Sequence, residues 1–352
     1  MEEAEPFETL CALFRELERG RSVALSGDPT PPSGVSGIGP WVGVSTSGTT
    51  GHPIRVWRAW REFKESIAVS SSRMGWAWAT GFRPDSYAGA QVAAQAWLER
   101  GKVHFMKEVG RSTWRLLEQE SVDAISATPT FVDLLLSSSR RAQRWCPRQL
   151  TLGGEVLRSV VGQRIRAQFF GARIQVVYAS SELGLIFRTR RMDGLYEVKG
   201  LDLRFQGWRL TTEGLATSEK SGALELLLDG EWRRTGDVAE WVAESSGEEC
   251  IRLVGRCDAV ANVGGTKVSL DWVVSVAESV PGVARAVAWA ERNAVVGEVI
   301  GLRVEPEPGL DWVALRPQVE RCFWSKLPKP GWPRVWEVGV IGLGVNGKRV
   351  RR

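Results

Sequence analysis

Ser45-Thr46-Ser47-Gly48-Thr49-Thr50-Gly51-His52-Pro53 follows directly on the apolar run Trp41-Val42-Gly43-Val44. A short strand leading into hydroxyls and glycines is an arrangement that holds phosphates. Glycines let the backbone turn sharply and bring its N–H groups against an anion. The Ser and Thr hydroxyls add donors that can follow phosphoryl oxygens as they move. The Walker pattern is excluded, because no Gly-Lys-Ser/Thr follows. Ile54-Arg55-Val56-Trp57 reads as a returning strand. A polar surface loop is the plain alternative, so the reading turns on what the rest of the chain carries.

Outward from this loop the pattern alternates. Before it, Pro6 to Arg19 has apolar residues at helical spacing, and Gly27 to Pro40 reads as a connector. After it, helices are predicted over Trp60 to Trp78, Tyr87 to Arg100, Thr113 to Glu120, Thr130 to Ser139 and up to Phe169. Strands are predicted at Val103 to Met106, Ala124 to Ala127, Gln149 to Leu152 and Ile174 to Tyr178. Strands alternating with helices predict an α/β domain built on parallel or mixed sheet. From Leu195 to Val254 the pattern changes to short alternating strands. A boundary is predicted near Gly255 to Asp258, giving a large domain over 1–257 and a small α+β domain over 258–352. The latter reads as a hairpin, a helix at Trp272 to Glu278, strands Ala284 to Trp289 and Val299 to Val304, a helix at Asp311 to Trp324 and a basic tail.

Composition bounds the function classes. With 352 residues, 43% hydrophobic and 25% charged, the chain is of ordinary soluble type. No apolar run approaches the roughly 18 residues of a membrane span. Met1-Glu2-Glu3-Ala4-Glu5 is no secretory signal. The five cysteines are scattered and odd in number, which predicts free thiols in a reducing cytoplasm. The net charge of +5 is modest, and basic clusters such as Arg188 to Arg191 form no long stripe, so a nucleic-acid partner is not expected. His52 and His104 are the only histidines, and neither has a partner at ligand or triad spacing. A hydrolase reading therefore has little support.

Four more segments join the first. They are Gly153-Gly154-Glu155, Val176-Val177-Tyr178-Ala179-Ser180-Ser181-Glu182, Arg234-Thr235-Gly236-Asp237, and Gly255-Arg256-Cys257-Asp258 with Asn262-Val263-Gly264-Gly265-Thr266-Lys267-Val268. Asn346-Gly347-Lys348 closes the series. Singly, each has a bland reading as a turn, a strand end or a solvated tail. In this order and at these spacings, they resemble the motifs of the adenylate-forming superfamily, which holds acyl- and aryl-CoA ligases, peptide-synthetase adenylation domains and luciferase. The resemblance spans residues 41 to about 350.

That resemblance implies a fold of a large N-terminal domain of mixed sheets flanked by helices, with a small mobile C-terminal domain turning about a hinge at Asp258. It implies ATP-dependent, AMP-forming acid–thiol ligation. Thr46, Ser47, Gly48, Thr49, Thr50 and Gly51 would hold the β- and γ-phosphates. Glu182 would hold Mg²⁺, which prefers oxygen ligands. Tyr178 would cover adenine, an aromatic face burying apolar surface, and Ser181 would lie near the α-phosphate. Gly153, Gly154 and Glu155 would line the adenine and acyl pockets. Asp237 would accept both ribose hydroxyls, a match of two carboxylate oxygens to a vicinal diol, with Arg256 beside it. Gly264 and Gly265 would shape the thiol tunnel. Lys348 would stabilise charge as the carboxylate attacks. The thiol is expected to be CoA, with a carrier-protein phosphopantetheine as the alternative and a non-catalytic nucleotide-binding relative as a second one.

There are departures too. The region before the phosphate loop is one helix and a linker where the family has a subdomain. Ile54 stands where a Lys is usual, and Asn262 likewise. Asp85-Ser86-Tyr87-Ala88-Gly89 replaces the aromatic-His turn of the acyl pocket. The brevity and Gly264-Gly265-Thr266-Lys267-Val268 are similar to compact o-succinylbenzoate-CoA ligases, which would place the chain in menaquinone biosynthesis.

Overall fold

The structure is a computed structural model that describes residues 6–26, 39–46, 54–138, 145–211 and 221–342. The chain divides into two units between Gly194 and Leu195.

The first unit begins with α1 (Pro6–Glu18), whose Leu10, Phe14 and Leu17 repeat at helical spacing and are buried. Three short strands follow: β1 (Val23–Ala24), β2 (Trp41–Thr46) and β3 (Ile54–Ala59). β2 lies parallel to β1 and antiparallel to β3. After α2 (Trp60–Glu65) comes the alternation: β4 (Ala77–Thr80), α3 (Tyr87–Leu98), β5 (Lys102–Phe105), α4 (Arg111–Gln119), β6 (Ala124–Ala127), α5 (Pro129–Ser137), β7 (Gln149–Leu152), α6 (Ser159–Gln168), β8 (Arg173–Ser180) and β9 (Gly184–Thr189). The six strands form one sheet in the order β5-β4-β6-β7-β8-β9, parallel except for β9.

The helix expected over Trp60 to Trp78 is not there. α2 stops at Glu65, Ser71–Arg73 is a single 3₁₀ turn, and Ala77–Thr80 is an inner strand of the sheet. All four residues of β4 are buried. A strand covered on both faces shows no polar alternation and resembles a buried helix in its sequence. Tertiary hydrogen bonds decide the matter: Ala77 N–H donates to Asp123 Oδ2 at 3.0 Å, and Asp123 N–H to Ala77 O at 2.8 Å. β9 was likewise not anticipated. The predicted helices and strands from Tyr87 to Tyr178 are found within a few residues of their expected ends.

α3 is the wall between two cores. Ala90, Ala93 and Ala94 face the cluster of Leu10, Phe14, Val42 and Trp60, while Val92 and Ala96 face Trp78, Val103 and Ala124. Side chains this small let the helix sit close on both sides.

The second unit opens with an antiparallel sheet of β10 (Leu195–Glu197), β11 (Gly207–Thr211), β12 (Ser221–Leu228), β13 (Glu231–Ala243) and β14 (Glu249–Arg256), ordered β10-β14-β13-β12-β11. Then follow β15 (Val260–Val263), β16 (Thr266–Ser269), α7 (Leu270–Glu278), β17 (Val283–Asn293), β18 (Gly297–Pro306), α8 (Trp312–Lys326) and β19 (Val335–Val338). Their sheet runs β16-β15-β18-β17, with β19 parallel to β18. Val273, Val276, Leu315, Val319 and Phe323 of the two helices close the core on Ala288, Ile300 and Leu302. The expected boundary at 257/258 falls in the turn between β14 and β15, so both sheets flanking it lie in this second unit.

Candidate active site

In an open parallel sheet, ligands bind beyond the carboxyl ends of the strands, where the strand order reverses. Here the chain goes from β4 to β5 on one side and then to β6 on the other, so the reversal lies between β4 and β6. The segments that leave these ends gather there. Gly154 follows β7 and approaches Phe82, which follows β4, and Thr128, which follows β6; a Cβ on Gly154 would lie 3.3 Å and 3.6 Å from them. A Cβ on Gly153 would come within 2.7 Å of Val177 Cγ2 on β8. Glu155 Oε2 accepts the Thr130 N–H at 3.3 Å, at the first turn of α5, where a carboxylate is favoured by the helix dipole. Gly153-Gly154-Glu155 thus joins the ends of four strands.

The segment read as a phosphate loop has its two flanks on paired strands. Thr46 ends β2 and is paired with Ile54 at the start of β3, so the strands bring both ends of the intervening segment together. Ser45 N–H donates to Asp85 O at 2.8 Å, fixing this rim to the connection after β4. Ser47, Gly48, Thr49, Thr50 and Gly51 lie outside the described residues, as does Lys348. The Asp85-Ser86-Tyr87-Ala88-Gly89 turn is occupied structurally: Arg83 pairs with Asp85 at 2.5 Å, and Ser86 Oγ caps α3 by accepting the Gly89 N–H at 3.1 Å.

The turn after β8 carries Ser181 and Glu182. Ser180 Oγ accepts the Leu183 N–H at 3.0 Å and tightens it. The Glu182 side chain is exposed, and among the described residues it has no ion pair or hydrogen bond. An open carboxylate fits a Mg²⁺ ligand that keeps waters and phosphate oxygens as its other partners. The Tyr178 ring is buried and stacked on Phe187 of β9, with centroids 6.5 Å apart and planes 13° from parallel. One ring face is therefore taken by protein.

In the second unit, Asp237 of β13 and Arg256 of β14 are direct cross-strand neighbours. Arg256 Nη1 donates to Asp237 Oδ1 at 3.4 Å and its Nε to Asp258 Oδ1 at 3.3 Å. The antiparallel register brings together three residues that are up to 21 positions apart in sequence. Asp237 N–H donates to Thr235 Oγ1 at 3.1 Å. The negative charge of Asp237 is felt locally. Burial first, and then Asp237, raises the Tyr196 hydroxyl above its usual range, and burial with Asp237 also raises the Cys257 thiol. Both stay protonated at neutral pH. Gly264 and Gly265 form a two-residue hairpin loop between β15 and β16, with φ of +58° and +84°. A loop of this kind needs positive φ at both positions, which glycine adopts without strain.

Two residues were missed in the sequence. Asp271, at the start of α7, accepts the Arg256 N–H at 2.9 Å. Gly255, at φ +157°, packs so closely on it that a Cβ would lie 2.3 Å from Asp271 Cβ. The second is Arg58, whose guanidinium reaches the backbone of Ser181 and Glu182. Its signal was present: Arg58 stands in phase with Val56 and Trp60, on the side of β3 where apolar residues are expected.

The family model for AMP-binding enzymes matches residues 44–203. A medium/long-chain fatty acid–[acyl-carrier-protein] ligase of Mycobacterium tuberculosis is 26% identical over 349 aligned residues, covering 87% of this chain and 63% of that protein. The chain thus spans a little under two thirds of that relative's length. An amide bond synthetase of Marinactinospora thermotolerans superposes with a TM-score of 0.68 at 17% identity, over 88% of this chain and 67% of that one. The o-succinylbenzoate CoA synthetase of Bacillus subtilis, solved with its acyl-adenylate intermediate, gives 0.63 at 17% identity, over 88% and 68%. No helix among the described residues is long and apolar enough to cross a membrane.

Proposed function

We propose that this protein is an ATP-dependent, AMP-forming acid–thiol ligase. One observation carries the reading: the match to the AMP-binding enzyme family model begins at Val44, in the strand that feeds the Ser/Thr/Gly loop, and takes in the Glu182 turn at the carboxyl end of β8. In the first half-reaction a carboxylate oxygen attacks the α-phosphorus of ATP, the bond to the bridging oxygen breaks, and pyrophosphate leaves. Thr46 to Gly51 bind the outer phosphates, and Tyr178, Asp237 and Arg256 bind the nucleoside. Glu182 would hold Mg²⁺, which when bound neutralises phosphate charge. Lys348 balances the charge that develops at the α-phosphate and carboxylate. In the second half-reaction a thiol sulfur attacks the acyl carbon and AMP departs, with the small domain turning about Asp258 and the Gly264-Gly265 loop on the thiol side.

CoA is the acceptor in the primary reading. A carrier-protein phosphopantetheine is favoured by one observation, the acyl-carrier-protein specificity named for the mycobacterial relative. The test is ATP–pyrophosphate exchange over a panel of acids that includes medium- and long-chain fatty acids, aromatic acids and o-succinylbenzoate. CoA and a phosphopantetheinylated carrier protein are then offered to the active acid. Exchange with at least one acid is expected. Nucleotide binding without exchange on any acid would replace the ligase reading with that of a non-catalytic nucleotide-binding relative. Activity on o-succinylbenzoate with CoA would place the chain in menaquinone biosynthesis.

A further inference from the structure

Arg58 lies on β3, five residues beyond Pro53, and is 6% exposed. A buried guanidinium is expensive unless it is paired or well hydrogen-bonded. Its only acidic neighbour among the described residues is Glu62, which is largely exposed and 3.7 Å away. What solvates it instead is backbone: Nη1 donates to Glu182 O at 2.6 Å and to Ser181 O at 3.2 Å. The guanidinium also lies over the Tyr87 ring at the start of α3, 5.7 Å from its centroid. Charge-assisted bonds of this length are the stronger kind. They cross more than 120 positions of sequence to reach one particular turn.

We propose that Arg58 is a positioning residue that locks β3 to the Ser181–Glu182 turn, so that the Glu182 carboxylate is held in place for a metal-bound triphosphate. The identity of that ligand rests on the adenylation reading; the tie itself does not. Arg58 touches neither reacting atom. It fixes the main chain from which the Glu182 side chain projects.

The test uses the full chain as wild type, Arg58→Met, Arg58→Lys, Glu182→Gln and the double variant Arg58→Met/Glu182→Gln. ATP is titrated calorimetrically in EDTA and again in Mg²⁺, and amide hydrogen exchange is followed without ligand. In wild type, Mg²⁺ is expected to tighten ATP by about tenfold, the scale of one well-placed charged contact. Arg58→Met should hold its EDTA affinity within about twofold and lose the Mg²⁺ gain, as Glu182→Gln does, and the double variant should lose no more than either. Arg58→Lys should recover part of the gain by reaching one carbonyl. Amides of the 181–184 segment should exchange about tenfold faster in Arg58→Met. Equal weakening with and without Mg²⁺, additive losses, or unchanged exchange would each overturn the tie. Absence of ATP binding in wild type, with exchange still accelerated in Arg58→Met, would overturn the adenylation reading and uphold the tie.

Discussion

The two units gather their functional side chains by different rules. In the first, the candidates sit on segments that leave the carboxyl ends of parallel strands: Phe82, Thr128, Gly154-Glu155 and Ser181-Glu182. Each comes from its own connection, and the sheet order makes them neighbours. In the second, Asp237 and Arg256 lie within adjacent antiparallel strands and meet by register. A parallel sheet lets each connection vary on its own. An antiparallel pair couples its two residues, since a slip of one strand by one position would turn its residue away from the other.

The largest expected effect tests whether both kinds of site serve one reaction. Lys348→Ala should lower pyrophosphate exchange by about 10²–10³, the scale of losing a charge-stabilising group, while thiolysis of pre-formed acyl-adenylate stays near wild type. Equal loss in both half-reactions would remove Lys348 from the adenylation step. Next in size is the sheet itself. Trp78, 1% exposed in β4, supports the reversal point of the parallel sheet. Trp78→Ala should cost about 3–5 kcal/mol in denaturant unfolding. A cost under about 1 kcal/mol would mean that β4 does not organise that unit.

The coupling rule is tested by a double-mutant cycle. Asp237→Asn and Arg256→Met should each raise the KM for ATP by about tenfold, with strong non-additivity when combined. Glu155→Gln combined with Glu182→Gln, from separate connections, should add simply. Additivity at Asp237/Arg256 would erase the distinction between the units.

A smaller effect follows from Glu225 of β12, a buried carboxylate that accepts from Arg209 at 2.8 Å and from Arg234 at 3.1 Å. Arg209 foremost, then Arg234, holds it below the usual 4.5, against the opposing effect of burial. The folded state then binds fewer protons than the unfolded chain in that window. Stability from this group is therefore present above pH 4.5 and is lost as pH falls toward the lowered value. Glu225→Gln should flatten the acid limb of a stability–pH curve, and an unchanged limb would exclude this group as its source. Smallest is thiol reactivity: exposed Cys146 should label with a thiol reagent at pH 8 well before Cys257, whose thiol is raised by burial.

What could be read in the sequence follows the same division. The alternation from Tyr87 to Tyr178 was legible because its helices have periodic faces and its strands are bounded by turns. β4 was not, since Ala77-Trp78-Ala79-Thr80 is buried on both faces and carries no periodicity. The site motifs were legible as local chemistry, and the meeting of Asp237 and Arg256 was expected only from resemblance. Arg58 stood out only as a charge on an apolar face, and the main-chain partners of Arg58 and Asp271 were invisible. A backbone carbonyl or amide leaves no residue type in the sequence to point at it.

The Asp271 contact has a bearing on the proposed hinge. The carboxylate belongs to α7, beyond the turn at Cys257–Ala259, and grips the amide of Arg256 before it. A swing of the small domain about Asp258 has to release that grip and part Asp271 from the bare α-carbon of Gly255. A pivot at Asp258, as proposed, would thus be spring-loaded toward the arrangement seen here, with a detent of about 1–3 kcal/mol for one charge-assisted hydrogen bond. Asp271→Asn would weaken that detent and shift the resting balance between the two half-reactions without touching either substrate.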